Sequence, residues 1–321
     1  MISPRVSVVI PLYNKCQSIS RAIGSVLAQT ESNFELIVID DGSTDGSEGV
    51  VASIKDNRLR IISQRNSGQS AARNAGIRAA QTDWIAFLDA DDEWMPHFLR
   101  TVLALTTRFP TAGAFATSYV ACRNGKVYKY NHVGVENAID GELLASYFRS
   151  STLGASMVCS SAVLIPARIF REIGYFNIDA CSGVDLDMWA RIALRFPIAW
   201  SPIEAAVYHQ SAENRHAGME VEQDMPFAHL LEQSIQSGRY RASEALWMAE
   251  FLTRLRLVQA GVNMDYGAFG TARVLLLKTR ATKCFRARWL SLAVRAYCPN
   301  RIGALLSRVI WAVAYRLKAK C

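Results

Sequence analysis

The sequence predicts an α/β fold: a mainly parallel central sheet flanked by helices, followed by a helical, basic extension. Three observations carry this. Strand-like apolar runs alternate four times with helix-like segments over about the first 110 residues, joined by short connections. Each run stops at turn-forming or acidic residues. From about residue 220 the apolar spacing is helical only. With 321 residues, half of them hydrophobic, the chain is long enough for one large domain plus an extension.

The first strand is Arg5-Val6-Ser7-Val8-Val9-Ile10-Pro11, stopped by Pro11. Residues 17–29 follow with helical spacing (Ile19, Ile23, Val26, Leu27). The second strand, residues 35–40, ends in Asp40-Asp41-Gly42-Ser43, after which Thr44 is placed to cap a helix over about 45–55. A short third strand covers residues 59–62, and Ser67-Gly68 opens a helix over about 69–81. The fourth strand, residues 84–88, runs into Asp89-Ala90-Asp91-Asp92, and Pro96 suits the first turn of the next helix. The middle mixes strands (113–119, 161–165, 203–208) with helices near 140–148, 168–173 and 184–195.

In an open parallel sheet, ligands bind beyond the carboxyl ends of the strands. Here those ends carry Tyr13-Asn14, Asp40-Asp41 and Asp89-Ala90-Asp91, so polar and acidic groups are predicted to converge on one edge. Asp89 and Asp91 offer hard oxygen ligands suited to Mg²⁺ or Mn²⁺, where a divalent ion would offset charge growing on a departing diphosphate; the competing role is capping of the next helix. Asp40 is placed to accept a hydrogen bond from a ribose hydroxyl or base imide, with Asp41 holding the turn. Tyr13 offers a ring for stacking on a base, or a core tyrosine. Asn66 to Gly76 combines a turn, small residues and a helix start, with Arg73 facing either phosphate oxygens or an acid of the site. Asp185 opens an amphipathic helix, as a cap or as a general base. His209 and His216 follow a strand and are candidates for the metal shell or the diphosphate.

Four of these segments, in this order, resemble the inverting glycosyltransferases of family 2, which have the GT-A fold: Val6 to Asn14, Glu35 to Asp45, Asn66 to Gly76, and Phe87 to Asp92. A fifth, Gly174-Tyr175-Phe176 followed by Val184-Asp185-Leu186-Asp187-Met188-Trp189, is similar to that family's Glu-Asp region, so the resemblance covers about residues 5–210. It implies a GT-A domain over 1–215, with a nucleotide-binding half over about 1–110 and an acceptor half over about 111–215, ahead of an extension over 216–321. Pro11, Tyr13 and Asp40 would hold the nucleoside, most often uridine. Asp89 and Asp91 would hold ribose, metal and diphosphate, with Arg73 at the leaving group. Asp185 would be the catalytic base, with Asp187 as the alternative. The implied activity is metal-dependent glycosyl transfer from a nucleotide-sugar, a UDP-sugar by expectation, to a glycan or lipid-linked acceptor in cell-surface polysaccharide or lipid-linked glycan synthesis. Two residues depart from the family pattern: Val184 stands where glutamate is usual, and Lys15 replaces an acid frequent after Tyr-Asn. Val184 also motivates the alternative, a catalytically inactive nucleotide-sugar-binding protein on the same fold.

Other classes fit poorly. The first strand is not followed by the GxGxxG of a dehydrogenase. Seven scattered cysteines show no zinc spacing and suit free thiols in a reducing compartment. The net charge of +8 is concentrated at the end: residues 270–321 carry twelve Lys and Arg and no acid, leaving 24 bases against all 28 acids before them. Apolar clusters with Trp289 alternate with those bases, the pattern of a helix lying on an anionic membrane surface; a packed helical bundle is the competing reading. The opening residues lack a signal-peptide pattern, and no run is long enough to span a bilayer. The expected location is therefore the cytoplasm, with peripheral contact at the inner membrane face; nucleic acid, with no recognisable motif behind it, is not an expected partner.

Overall fold

A computed structural model describes residues 5–135, 139–180, 182–210 and 224–298, together with Leu306, Val309 and Ile310. The chain divides into two compact units, Met1–Ala217 and Gly218–Cys321.

In the first unit, β1 (Val6–Leu12) is buried along its whole length. It follows that both faces are covered, as expected of a central parallel strand. Helix α1 (Ile19–Leu27) turns Ile19, Ala22, Ile23 and Val26 into the core and leads to β2 (Phe34–Asp40), which is also wholly buried. Next come α2 (Ser47–Ser53), β3 (Leu59–Ser63), α3 (Gln69–Ala79) and β4 (Trp84–Phe87). β1 pairs in parallel with both β2 and β4, and β2 with β3. α3 lies close against β1: a Cβ on Gly76 would sit 2.2 Å from Val9 Cγ1, so only glycine permits this approach.

The remaining elements of this unit are β5 (Glu93–Trp94), α4 (Phe98–Arg108), β6 (Ala114–Arg123), β7 (Lys126–Lys129), β8 (Glu142–Leu143), α5 (Tyr147–Leu153), a single 3-10 turn (Ser160–Ala162), β9 (Val163–Pro166), α6 (Ala167–Ile173), α7 (Val184–Ala193) and β10 (Ile198–His209). The sheet order is β3-β2-β1-β4-β9-β6-β10-β5, with β7 on β6 and β8 on β10. The predicted parallel order holds from β3 to β4; β9 then enters antiparallel to both β4 and β6, while β6 and β10 are parallel. All four residues of β9 are buried, and a run of uniformly apolar residues reads the same in either direction. The β6–β10 register shifts between Ser201 and Ala206, where Pro202 has no N–H to give to a ladder.

Three local expectations move. α2 begins at Ser47 after Gly46 in left-handed conformation. Its first turn is held by Asp45, whose Oδ1 accepts Ser47 N at 3.0 Å, while Thr44 N donates to Asn14 Oδ1 at 2.8 Å instead. α4 begins at Phe98, so Pro96 precedes it. The helix expected near 140–148 starts at Tyr147, because Ser146 Oγ caps it by accepting Arg149 N at 3.0 Å.

The second unit is helical, as its spacing predicts: α8 (Ala228–Gln236), α9 (Ala242–Asp265), α10 (Phe269–Lys278) and α11 (Arg286–Tyr297). Leu257, Ala260, Met264, Leu275, Leu276 and Ala296 form its core, with Phe269, Phe285 and Trp289 against it. Trp289 Nε1 donates to Leu276 O at 2.8 Å. Arg273 caps α11 through Ala296 O, Lys278 pairs with Asp224 at 2.8 Å, and Arg295 pairs with Asp265. Part of the basic stretch thus holds this bundle together. Among the described residues no helix is long and apolar enough to cross a membrane. Arg301, Arg308, Arg316, Lys318, Lys320 and His216 lie outside the described residues.

Candidate active site

The loops beyond β1, β2 and β4 meet at a cavity of about 620 Å³. Pro11 and half-exposed Tyr13 form one wall. The β1 loop turns on Asn14, which has a positive φ of 51°, a conformation asparagine tolerates better than most residues. Asn14 N donates to Ser43 Oγ at 3.0 Å, which ties this loop to the end of β2. There the two acids divide their work differently from expectation. Asp40 Oδ1 accepts Ser43 N at 3.2 Å and so holds the turn. Asp41 lines the cavity and fastens the loop before α3, accepting Ser67 N (2.9 Å), Gly68 N (2.8 Å) and Gln64 Nε2 (2.7 Å).

Arg73 sits beneath the cavity floor, fully buried. Its Nη2 reaches Asp89 Oδ1 at 2.8 Å and its Nη1 reaches Asp185 Oδ1 at 2.6 Å, with the guanidinium 5.3 Å from the Phe176 ring centroid. One guanidinium therefore joins the end of β4 to the first turn of α7. Burial works against the charge on Arg73, but Asp185 and Asp89 outweigh it and raise its pKa. Of the two sequence readings of Arg73, pairing with acids of the site is the one this geometry supports.

Asp91 faces two other cations: Lys15 Nζ lies 2.9 Å from its Oδ2, and Arg21 Nη2 donates to its backbone O at 2.6 Å. Asp92 is buried, accepting Ser161 Oγ at 2.5 Å and His209 N at 2.9 Å. Burial, and then the charges of Asp89 and Asp91, push the Asp92 carboxyl well above its usual range. Burial likewise raises that of Asp89, with Arg73 opposing and Asp185 and Asp91 reinforcing.

The donor set fits a hard divalent ion in part. Asp89 Oδ1 is taken by Arg73 and Gln69 and Asp91 Oδ2 by Lys15. Asp89 Oδ2 and Asp91 Oδ1 accept no hydrogen bond among the described residues. Two free carboxylate oxygens on one loop suit Mg²⁺ or Mn²⁺, ions that leave their other positions to water and phosphate. His209, the other expected ligand, has its Nε2 3.3 Å from Glu93 Oε1. No group of three His, Cys, Asp or Glu with metal-binding geometry occurs among the described residues.

Asp185 lies in the first turn of α7 and lines the cavity, its second oxygen accepting Ser160 Oγ at 2.5 Å. Asp187, the alternative base, is buried against Arg191 at 2.7 Å, whose guanidinium also reaches the carbonyls of Ile173, Gly174 and Tyr175. That places Asp187 in a structural ion pair. Cys159, Ser160, Tyr119 and Tyr208 also line the cavity, though no motif singles them out. The signal for Ser160 is strand direction: an antiparallel strand enters the sheet at the edge where parallel strands leave it, so the residues ahead of β9 fall at the site.

The profile of glycosyl transferase family 2 matches residues 7–174, from β1 to the glycine ending α6. An uncharacterised glycosyltransferase of Nostoc sp. is 46% identical over 102 residues, 31% of this chain and 32% of that one. An uncharacterised glycosyltransferase of Rickettsia felis is 34% identical over 194 residues, 59% of this chain and 30% of that one. The succinoglycan biosynthesis protein ExoO of Rhizobium meliloti is 46% identical over 112 residues, 35% of this chain and 31% of that one. The aligned stretches thus span about a third of these relatives' lengths. Among solved structures, S. aureus TarS 1–349 in complex with UDP-GlcNAc has a TM-score of 0.64 at 18% identity, covering 91% of this chain and 81% of that one, a likeness of fold. Together with the parallel strands and the acidic loop they lead into, the matched segment establishes that this GT-A-type chain belongs to glycosyl transferase family 2.

Proposed function

We propose that this protein transfers a glycosyl group, with inversion, from a nucleotide-diphosphate sugar to an acceptor hydroxyl. The observation that carries the reading is the Arg73 bridge, which holds Asp89, at the loop suited to a diphosphate, and Asp185, the candidate base, on one cavity. Tyr13 and Pro11 receive the base of the nucleotide, and the Asp40–Asp41 edge receives its ribose or imide. Asp185 takes the acceptor proton as the acceptor oxygen forms a bond to the anomeric carbon and the bond from that carbon to the diphosphate breaks. Arg73 keeps Asp185 and Asp89 in register, so the base and the leaving-group loop are positioned before reaction. When bound at Asp89 and Asp91, Mg²⁺ or Mn²⁺ would offset the charge on the leaving diphosphate.

A uridine donor is supported by TarS, whose 1–349 fragment has been solved with UDP-GlcNAc and with UDP. A polysaccharide acceptor is supported by the match to ExoO. The basic stretch over 270–321 suits a lipid-linked acceptor at an anionic cytoplasmic surface, its exposed Lys278, Arg280, Lys283 and Arg286 lying on the described part of the bundle. One observation favours a second reading, nucleotide-sugar binding without transfer: both oxygens of Asp185 are engaged, by Arg73 and Ser160. Asp185→Asn separates the two. Under the transferase reading it abolishes transfer from a panel of UDP-sugars with Mn²⁺ while UDP binding by calorimetry persists. Retention of most turnover by this variant excludes Asp185 as base, and a wild-type protein that binds UDP-sugars but neither transfers nor hydrolyses them supports the second reading.

A further inference from the structure

The chemistry above gives Lys15, which lines the cavity, no task. Its backbone is fixed: Lys15 N donates to Ser47 Oγ at 2.9 Å, and its carbonyl accepts Ser18 N and Ile19 N at the start of α1. Its side chain lines the cavity and ends 2.9 Å from Asp91 Oδ2, with both side chains only about 15% exposed. Attraction between charges so placed is stronger than at an open surface, because less water screens them. The carboxylate that a divalent ion would use therefore already has a cation supplied by the chain. Arg21, at the Asp91 carbonyl, adds a second positive group beside the same loop. An incoming divalent ion meets the Lys15 ammonium at the Asp91 carboxylate itself, and a diphosphate meets the same ammonium within the cavity.

We propose that Lys15 is a diphosphate-binding residue that competes with the divalent ion at Asp91, so that nucleoside diphosphate binding keeps a metal-independent component. The proposal rests on the cavity being a nucleotide-diphosphate site. On arrival of the diphosphate the Lys15 ammonium turns from Asp91 toward a phosphate oxygen, and Asp91 is released to the metal. Lysine serves here as a compact point charge with three donors, a common phosphate partner.

Two binding measurements on the full chain test this. The first is calorimetry of UDP and of uridine in EDTA, on wild type, Lys15→Met and Lys15→Arg. The second is Mn²⁺ binding in the absence of nucleotide, followed by electron paramagnetic resonance. Loss of a charged hydrogen bond predicts that K15M binds UDP about tenfold more weakly in EDTA. Uridine affinity stays at the wild-type value, which also shows that the site is folded, and K15R recovers most of the UDP affinity. Without the competing ammonium, K15M binds Mn²⁺ several-fold more tightly. Equal UDP affinity of K15M and wild type in EDTA, or unchanged Mn²⁺ affinity, overturns the role of Lys15 and leaves the nucleotide site standing. Failure of the wild type to bind UDP with or without Mn²⁺ overturns the nucleotide site itself, and this proposal with it.

Discussion

Replacing Arg73 with methionine keeps much of the side-chain volume and removes the cation that pairs with both Asp89 and Asp185. Breaking a buried ion pair by deleting one partner costs roughly 3–5 kcal/mol, because the surviving charge is left uncompensated. Arg73 is fully buried, but the Asp89 side chain is 20% exposed and that of Asp185 36%. Water screens those survivors, so the low end applies, about 3 kcal/mol. For a domain of this size each kcal/mol shifts the melting temperature by about 2–4 °C, so the midpoint of the first unit falls by about 6–12 °C at neutral pH. The variant also carries its own pH signature. Burial holds the Asp89 carboxyl above its ordinary range and Arg73 opposes that rise, so without Arg73 protonation of Asp89 favours the folded form more strongly and the gap to wild type narrows as pH falls. Calorimetric melts at pH 7.5 and 5 measure both effects. A drop under about 2 °C at neutral pH, or a gap that widens on acidification, refutes the reasoning from the buried bridge.

Four further outcomes are expected. Gly76→Ala forces a methyl into Val9 and destabilises the first unit by about 1–3 kcal/mol in urea unfolding, whereas Gly24→Ala, whose Cβ meets nothing within 4 Å, does not. Burial acts to raise the pKa of Asp224, but hydrogen bonds from Arg256 and Lys278 outweigh it and hold the pKa below the usual range; the stability this gives the helical unit is present above about pH 4 and is lost as pH falls through the folded value. Asp224→Asn removes that acid-dependent slope, read by circular dichroism in urea against pH. Asp91→Ala removes the increment that Mn²⁺ adds to UDP affinity in calorimetry, and an undiminished increment counts against Asp91 as ligand. Sedimentation with anionic vesicles at low salt retains the full chain and loses it at high salt, whereas no binding at low salt rules out the membrane surface.

The βαβ succession, the sheet edge at which the cavity opens and the acidic loop Asp89–Asp92 were legible in the sequence alone. Buried strands announce themselves by continuous apolar runs such as Val8-Val9-Ile10, and their ends by turn residues, and both signals are local. The ordered set of segments from Val6 to Asp92 pointed to the family because it joined several such signals in one succession. Partner choice was not legible. Arg73 and Asp185 are 112 residues apart, and Lys15 and Asp91 are 76 apart; nothing near either residue says which acid a cation will meet. The division of work between Asp40 and Asp41, the contact of His209 with Glu93, and the capture of Asp187 by Arg191 belong to the same class. So does the place of Ser160, which follows from the direction of β9. Local propensity and burial pattern determine which elements form, but side chains find their partners across the assembled sheet, and only tertiary packing sets those distances.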